Sequence, residues 1–494
     1  MNGYHEKWGD SMNQTMPNWL YQRSLLTPDR QAVQYEDQVL TFKQLYGQSV
    51  QRAEKLANLG VRKSNHIGVY MTNSLDMVLN IHALFHLGAV VVFLNTKLSA
   101  RELQYQIEDS KLQFVIMDDH FEEVLSFLSN QKKISMSKVY DLDLLKNTMN
   151  AREVVLSNVA TMMYTSGTTG RPKAVLQTYE NHWWSAVGSA LNLGLDHRDC
   201  WLVTVPLFHI SGLSILIRSM IYGIKIIVHD KFDPVLTNAA IMNEKVTIIS
   251  VVNTMLQLMI EDLKEVYPPS FRCMLVGGGP VDDFLLEQCK KREIPVYQTY
   301  GMTETCSQIA TLSPESSMVK LGSAGKPLFP CQIKIMNDGK LCPANQVGEI
   351  TVKGLNVTRG YYSGTTRAFH EGWFFTGDLG YLDEEGFLYV VDRRSDLIIS
   401  GGENIYPVEI EQVLQSHPEV IEAGVVGEKH SIWGQVPVAF VVLESTVDTK
   451  VLQDFCYQRL AKYKIPKKIY VMDRLPRNAT NKLLRHKLKD IQHD

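Results

Sequence analysis

The sequence predicts an α/β protein: a large N-terminal part made of two related doubly wound α/β subdomains plus a small antiparallel β-barrel, followed by a small C-terminal α+β domain. Three observations lead there. Apolar, strand-forming runs alternate with helical patterns in two successive series, which is the signature of largely parallel sheets covered by helices. Ser323 to Tyr361 then changes character to short strands punctuated by Gly and Pro. Beyond Arg394 a tail of about 100 residues mixes both element types and has the size of a domain with its own core.

Composition sets the outer bounds. At 494 residues the chain exceeds what one core serves. It is 45% hydrophobic and 21% charged, with a net charge of -3 from 50 basic and 53 acidic side chains. No global field exists to recruit nucleic acid or an anionic membrane. The seven cysteines are scattered and never in a C-x-x-C pair, which speaks against a disulfide framework or zinc site and fits a reducing cytoplasm. The opening MNGYHEKWGDSMNQTM has neither a basic n-region nor an apolar core, and the apolar stretch from Ser214 to Val228 is broken by Arg218 and Lys225. A signal peptide and a membrane span are therefore not expected.

In order along the chain, residues 1–16 read as a flexible polar arm, 17–394 as the large part and 395–494 as the small domain. Ala32 to Phe42 reads as a hairpin turning at Glu36-Asp37-Gln38, with Thr41 capping the next helix. The first series is HIGVYM, a helix from about Ser74 to Leu87, AVVVFLN, a helix opened by Ser99 with Glu102 at capping-box spacing, and FVIMDD. His82 and His86 share a helix face, but HALFH lacks the internal Glu of a zinc-protease helix, so both read as core. The second series runs WLVTVPLF, KIIVHD, VTIISVV, RCMLVGGG and PVYQTYG, each followed by a helical pattern or loop. WFFTGDLGYLDEEGFLYVVDRRSD reads as a hairpin turned at Glu384-Glu385-Gly386.

Between the two series lies Tyr164-Thr165-Ser166-Gly167-Thr168-Thr169-Gly170-Arg171-Pro172-Lys173, fed by the apolar strand pattern VATMMY. Gly167 and Gly170 permit positive φ and close approach of backbone N–H groups to an anion; the hydroxyls and Lys173 add donors and charge. Polyphosphate suits such a loop, although the same chemistry alone also describes a solvated turn. It is no Walker sequence, because Gly170 is followed by Arg171-Pro172-Lys173.

The loop closely resembles the phosphate loop of the adenylate-forming acyl-CoA synthetases, with Ala174 where a Gly is usual. The resemblance extends over essentially the whole chain through PLFHISGLS, YGMTETCSQ, SDLIISGGENIYP, WGQVP and LAKYKIP. It implies that a carboxylic acid reacts with MgATP to an acyl-adenylate, from which a thiol such as that of coenzyme A displaces AMP. By that likeness Thr165, Ser166, Gly167, Thr168, Thr169, Gly170 and Lys173 hold the phosphates. Gly277, Gly278 and Gly279 lie along a flat base, Tyr300 offers it a face, and Gly301, Met302 and Thr303 complete the nucleotide site. Glu304, with Thr168, holds Mg²⁺, which favours few protein oxygens plus substrate phosphates. Asp378 accepts the ribose hydroxyls, and Arg393 contacts ribose or phosphate.

Lys482 stands at the position of the lysine that draws carboxylate and α-phosphate together, with Asn481 where Gly is commoner; the residue type alone reads as a soluble basic tail. His209 matches an aromatic position beside the reacting carboxylate. Ser211, Arg218 and Ser307 are expected to face an aromatic acid carrying a second carboxylate. Since one site must serve both adenylation and thiol attack, the C-terminal domain is expected to rotate about Arg393 to Asp396. Ser395 then stands where many relatives have Asp, and Ser400, Gly401 and Gly402 line the coenzyme A channel. The identity of the acid, a carrier protein in place of coenzyme A, and assembly as a homo-oligomer stay open.

Overall fold

The computed structural model describes residues 14–491 apart from 130–131, 144–151, 166–171, 279–280, 282, 318, 365–367, 394–396 and 477–482. Of the two expected series, the first forms a six-stranded sheet in the order Lys173–Thr178, Val159–Thr165, Val90–Phe93, His66–Tyr70, Phe114–Met117, Lys133–Ser135. The inner pairings are parallel and Lys173–Thr178 runs antiparallel to Val159–Thr165. Val90–Phe93 is buried along its whole length, as a strand covered on both faces must be. Ala174 lies inside a regular strand at 1% exposure, so its extra methyl group is accommodated without a positive φ.

The second series builds a parallel sheet from Gln31–Tyr35, Lys225–Val228, Cys200–Val203, Ile248–Val252, Cys273–Gly277 and Val296–Met302. The 31–41 hairpin forms as expected, with Glu36 at φ 50. The strands expected as a small barrel are the antiparallel continuation of this sheet. Ser307–Leu312 folds back on Val296–Met302 and passes the ladder to Ser323–Pro327, Leu388–Arg393, Trp373–Leu382 and Gly348–Lys353. Among the described residues the path stays open and ends at Lys340–Leu341.

Helices Leu75–Leu87 and Ile210–Tyr222 are buried on nearly every side, and one core cluster reaches from Trp19 to Cys306 across both sheets. His82 and His86 lie within it, 1% exposed each. Thr41 caps its helix as expected, and does so in a capping box with Gln44; the expected box at Ser99 with Glu102 exists too. Each contributes about 1 kcal/mol. Residues from 397 onward pack around two cores of their own, one under the long hairpin Val420–His430 and Gly434–Leu443. Among the described residues no core cluster joins this unit to the rest of the chain, so the junction between them is polar.

Candidate active site

A cavity of about 1070 Å³ opens where the carboxyl ends of the sheet strands meet the C-terminal unit, the place where open α/β sheets hold ligands. At one end, Thr165 and Lys173 are register partners at the mouth of their hairpin. Ser166, Gly167, Thr168, Thr169 and Gly170, the centre of the phosphate loop, lie outside the described residues, as does Gly279. Gly277 and Gly278 line the cavity, Gly278 at φ 87. Beside them run Gly301, Met302 and Thr303. A Cβ on Gly301 would meet the Ser307 carbonyl oxygen at 2.0 Å, so only glycine permits this tight fold-back. Thr303 is held from behind, its carbonyl accepting from Gln177 Nε2 at 2.8 Å. Gln177 is fixed in turn by Thr161, whose Oγ1 donates to Gln177 Oε1 at 2.7 Å.

Glu304 is 9% exposed and faces this end. Tyr361 donates to its Oε1 at 2.9 Å, and Thr165 Oγ1 lies 3.4 Å away. Burial raises the carboxyl pKa despite those hydrogen bonds, and the nearby Asp378 charge adds to the rise. A desolvated carboxylate without a cationic partner among the described residues fits a hard cation, which takes one or two protein oxygens and completes its shell from phosphates and water. Lys173 Nζ sits 5.6 Å over the Tyr361 ring, so Tyr361 ties the candidate phosphate lysine to the candidate metal ligand. Sequence reasoning missed it; its only signal is its place after Gly360 in RGYYSG.

Asp378 is 7% exposed and lines the same wall. Its Oδ2 accepts from the Tyr300 hydroxyl at 2.6 Å. The expectation of an open aromatic face at Tyr300 is corrected here. The ring is 3% exposed and packs in the core of the antiparallel limb, because its hydroxyl is drawn inward to orient Asp378; the wall at this point is Gly301 and Met302. Arg393 pairs through its backbone with Asp378.

The other end is the acyl side. His209 precedes helix Ile210–Tyr222 and lines the cavity with Ser211, two residues on. Further down the same helix is Arg218, 1% exposed, its guanidinium 5.5 Å over the Trp201 ring. Its Nε and Nη2 have no hydrogen-bond partner among the described residues, and burial lowers its pKa. Beside it, Trp201 Nε1 donates to Ser250 Oγ at 3.2 Å. Ser307 lies on the wall at φ 98, a conformation that costs a non-glycine residue about 1–3 kcal/mol. Gln308, also lining, has a buried Oε1 without a partner among the described residues.

The C-terminal unit closes the cavity with Leu397, a turn carrying Gly402 and Glu403, and Tyr463 with Lys464. Ile398–Ser400 and Glu403–Ile405 are joined by Gly401 and Gly402 at φ 56 and 86, the paired positive φ of a two-residue hairpin. Gly402 lines the cavity beside Val252, while Ser400 and Gly401 stand behind it, with Gly401 under the Trp433 ring. The turn delivers Glu403, 6% exposed, to His209 Nε2 at 3.4 Å, Lys97 Nζ at 2.8 Å and Asn95 Nδ2 at 3.3 Å. Burial alone would raise its pKa; His209 and Lys97 hold it well below the usual carboxylate range. Glu403 was not singled out from sequence, because its partners are about two and three hundred positions away. Lys482 and Ser395 lie outside the described residues.

This arrangement is that of a nucleotide-dependent carboxylate-activating enzyme, and family models agree: residues 21–362 match the AMP-binding enzyme family and 409–482 its C-terminal domain. The chain belongs to that family. More particularly, it is 55% identical to a 2-succinylbenzoate–CoA ligase from Geobacillus sp. (strain WCH70), over 97% of this chain and 98% of the relative. It is 52% identical to a protein of the same name from Bacillus subtilis (strain 168), over 96% and 98%. A solved double mutant of the Bacillus subtilis o-succinylbenzoate CoA synthetase, bound with its product analogue, superposes at a TM-score of 0.93 with 51% identity, covering 97% of this chain and 99% of that one. The same Bacillus subtilis protein with its acyl-adenylate intermediate superposes at 0.76, at the same identity and coverage. Among the described residues no helix is long and apolar enough to cross a membrane.

Proposed function

We infer that this chain is an AMP-forming acid–thiol ligase that activates 2-succinylbenzoate with ATP as its acyl-adenylate and transfers the acyl group to coenzyme A, a step of menaquinone biosynthesis. One observation carries the choice of acid: Arg218, a fully buried guanidinium lining the cavity, with two nitrogens that have no hydrogen-bond partner among the described residues. A buried cation left unpaired costs several kcal/mol, and a substrate with a carboxylate beyond the reacting one supplies the missing charge. Ser211, Ser214, Ser250, Ser307 and Gln308 are among the neutral polar groups that line the same cavity.

In the proposed mechanism Thr165, Lys173 and Thr303 orient the phosphates, Asp378 takes the ribose, and Tyr300 fixes Asp378 in place. Glu304, with Thr168, would hold a Mg²⁺ ion, which would supply positive charge against the phosphates. Lys482 bridges the attacking carboxylate and the α-phosphate as negative charge builds between them. The carboxylate oxygen forms its bond to phosphorus as pyrophosphate leaves; the coenzyme A sulfur then bonds to the acyl carbon as AMP leaves.

We further infer that the unit after 394–396 works in two orientations. The two TM-scores support this, since one relative at one identity and coverage fits well in one liganded form and less well in another. In the orientation described here Glu403, not a cationic group, sits beside His209, as suits thiol attack, with Ser400, Gly401 and Gly402 beside the thiol's path. The free cysteines fit a reducing cytoplasm. Pyrophosphate release measured over a panel of acids tests the substrate: 2-succinylbenzoate is expected to lead in kcat/KM, and benzoate or a fatty acid outrunning it by more than about tenfold overturns the assignment.

A further inference from the structure

Lys464 ends the short turn Lys462–Lys464 in the C-terminal unit and is 3% exposed. Its Nζ lies 2.5 Å from Glu102 Oε1 and 2.8 Å from Glu409 Oε1. Glu409 belongs to the same unit, in the first turn of helix Pro407–Gln415. Glu102 belongs to the large part, in the first turn of helix Ala100–Asp109. The two oxygens of Glu102 have separate tasks. Oε2 accepts from Ser99 N at 2.8 Å and Oγ at 2.7 Å, closing the capping box, while Oε1 is left to receive Lys464. Ser99 Oγ also reaches the Arg459 carbonyl at 3.0 Å, so two polar contacts cross the junction at this helix end.

The receiving helix is braced at its far end. Asp109 Oδ2 accepts from the Tyr164 hydroxyl at 2.7 Å, and the Tyr105 hydroxyl donates to the Pro172 carbonyl at 3.2 Å. Glu102 is therefore a fixed post. If the C-terminal unit turned away, Glu102 would keep its cap and Lys464 would keep Glu409, while the bond between Lys464 and Glu102 would be lost along with the Ser99–Arg459 and Glu403 contacts. Its charge is masked from water here, with side-chain exposures of 4% and 9%, so the pair acts at full strength in this orientation and not at all in another.

We propose that Lys464 and Glu102 form an orientation-specific latch, positioning residues that hold the C-terminal unit in the arrangement used for thiol attack. The proposal rests on the two-orientation reading above. Two half-reactions are compared in single turnover: pyrophosphate release without coenzyme A, and thioester formation from supplied acyl-adenylate. Glu102→Gln keeps the capping box, which Gln also serves, and removes only the charge. Thioester formation is expected to slow by at least about tenfold, and pyrophosphate release to stay within about twofold, because the latch biases one orientation only. Lys464→Met should do the same, and the double variant should be no slower than the slower single one, as for two ends of one contact. If Lys464→Met does not fold, Glu102→Gln decides alone. Equal slowing of both half-reactions, or no change in either, overturns the latch. The distance between labels on the two parts separates this failure from that of the underlying reading: two ligand-dependent distances with no half-reaction split remove only the latch, and a single invariant distance removes both.

Discussion

Arg52 and Lys464 are both cations buried against carboxylates, yet they do opposite work. Arg52 pairs with Asp76 at 2.7 Å and Asn80 at 3.0 Å; its helix and theirs, Phe42–Asn58 and Leu75–Leu87, share one apolar core. Asp76 keeps 29% side-chain exposure, but the Arg52 guanidinium, 7% exposed, cannot leave it without opening the core around the two helices. Lys464 and Glu102 lie at a junction that no core cluster crosses among the described residues, so separation re-exposes these charged groups to water. Buried charge within a core is a permanent tie, whereas at a polar seam it is a contact that can be made and released.

The largest test of this contrast is Lys482→Ala. Adenylate formation should slow on the order of 10²–10³-fold, the usual loss for one transition-state charge partner, while thioester formation from synthetic acyl-adenylate should hardly change. Rapid-quench measurement of each half-reaction checks it, and parallel loss of both would make the C-terminal unit a fixed part of the site. Next is Arg218→Met, inside the core. For 2-succinylbenzoate kcat/KM should fall about 10²-fold, the cost of a lost buried charge partner, and the acid lacking its second carboxylate should be processed no worse than before. Thermal stability should not fall, since the wild-type cation is unpaired; a drop in Tm with uniform loss on all acids would mean that Arg218 serves packing alone.

A smaller effect concerns pH and belongs to the core side of the comparison. Burial pushes His82 and His182 down to about 3 and His86 to about 4, from an ordinary 6.5. These rings bind fewer protons folded than unfolded, so their neutral burial costs nothing above pH 6.5 and stability is lost as pH falls from there toward 4. Each contributes about 1.4 kcal/mol of loss per pH unit in that window. Calorimetry between pH 7.5 and 5.5 should show Tm dropping by a few degrees; an unchanged Tm would mean that the histidines are charged or solvated.

What the sequence disclosed follows the same division. Local signals held: the capping boxes at Thr41 and Ser99, the turns at Glu36 and Gly386, and the fully apolar strand runs all report the conformation of neighbouring residues. Contacts made by distant segments stayed hidden. Gln31–Tyr35 pairs in parallel with Lys225–Val228, which no pattern within either strand announces. Tyr300 turned inward to Asp378, and Tyr361 and Glu403 reached their partners through the fold. Residue types at fixed spacing pointed to Thr165, Thr303, Glu304 and Asp378, which the fold brings to one cavity, whereas side-chain orientation was not legible.

The most direct measurement places spin labels at Leu191 and Val451, exposed helical positions on the two parts, with the half-buried Cys331 and Cys342 replaced by Ser. Pulsed dipolar spectroscopy with ATP and 2-succinylbenzoate, and then with a non-reactive coenzyme A product analogue, should give two distinct distances, the second matching the arrangement described here. One distance, unchanged by either ligand, would contradict the account.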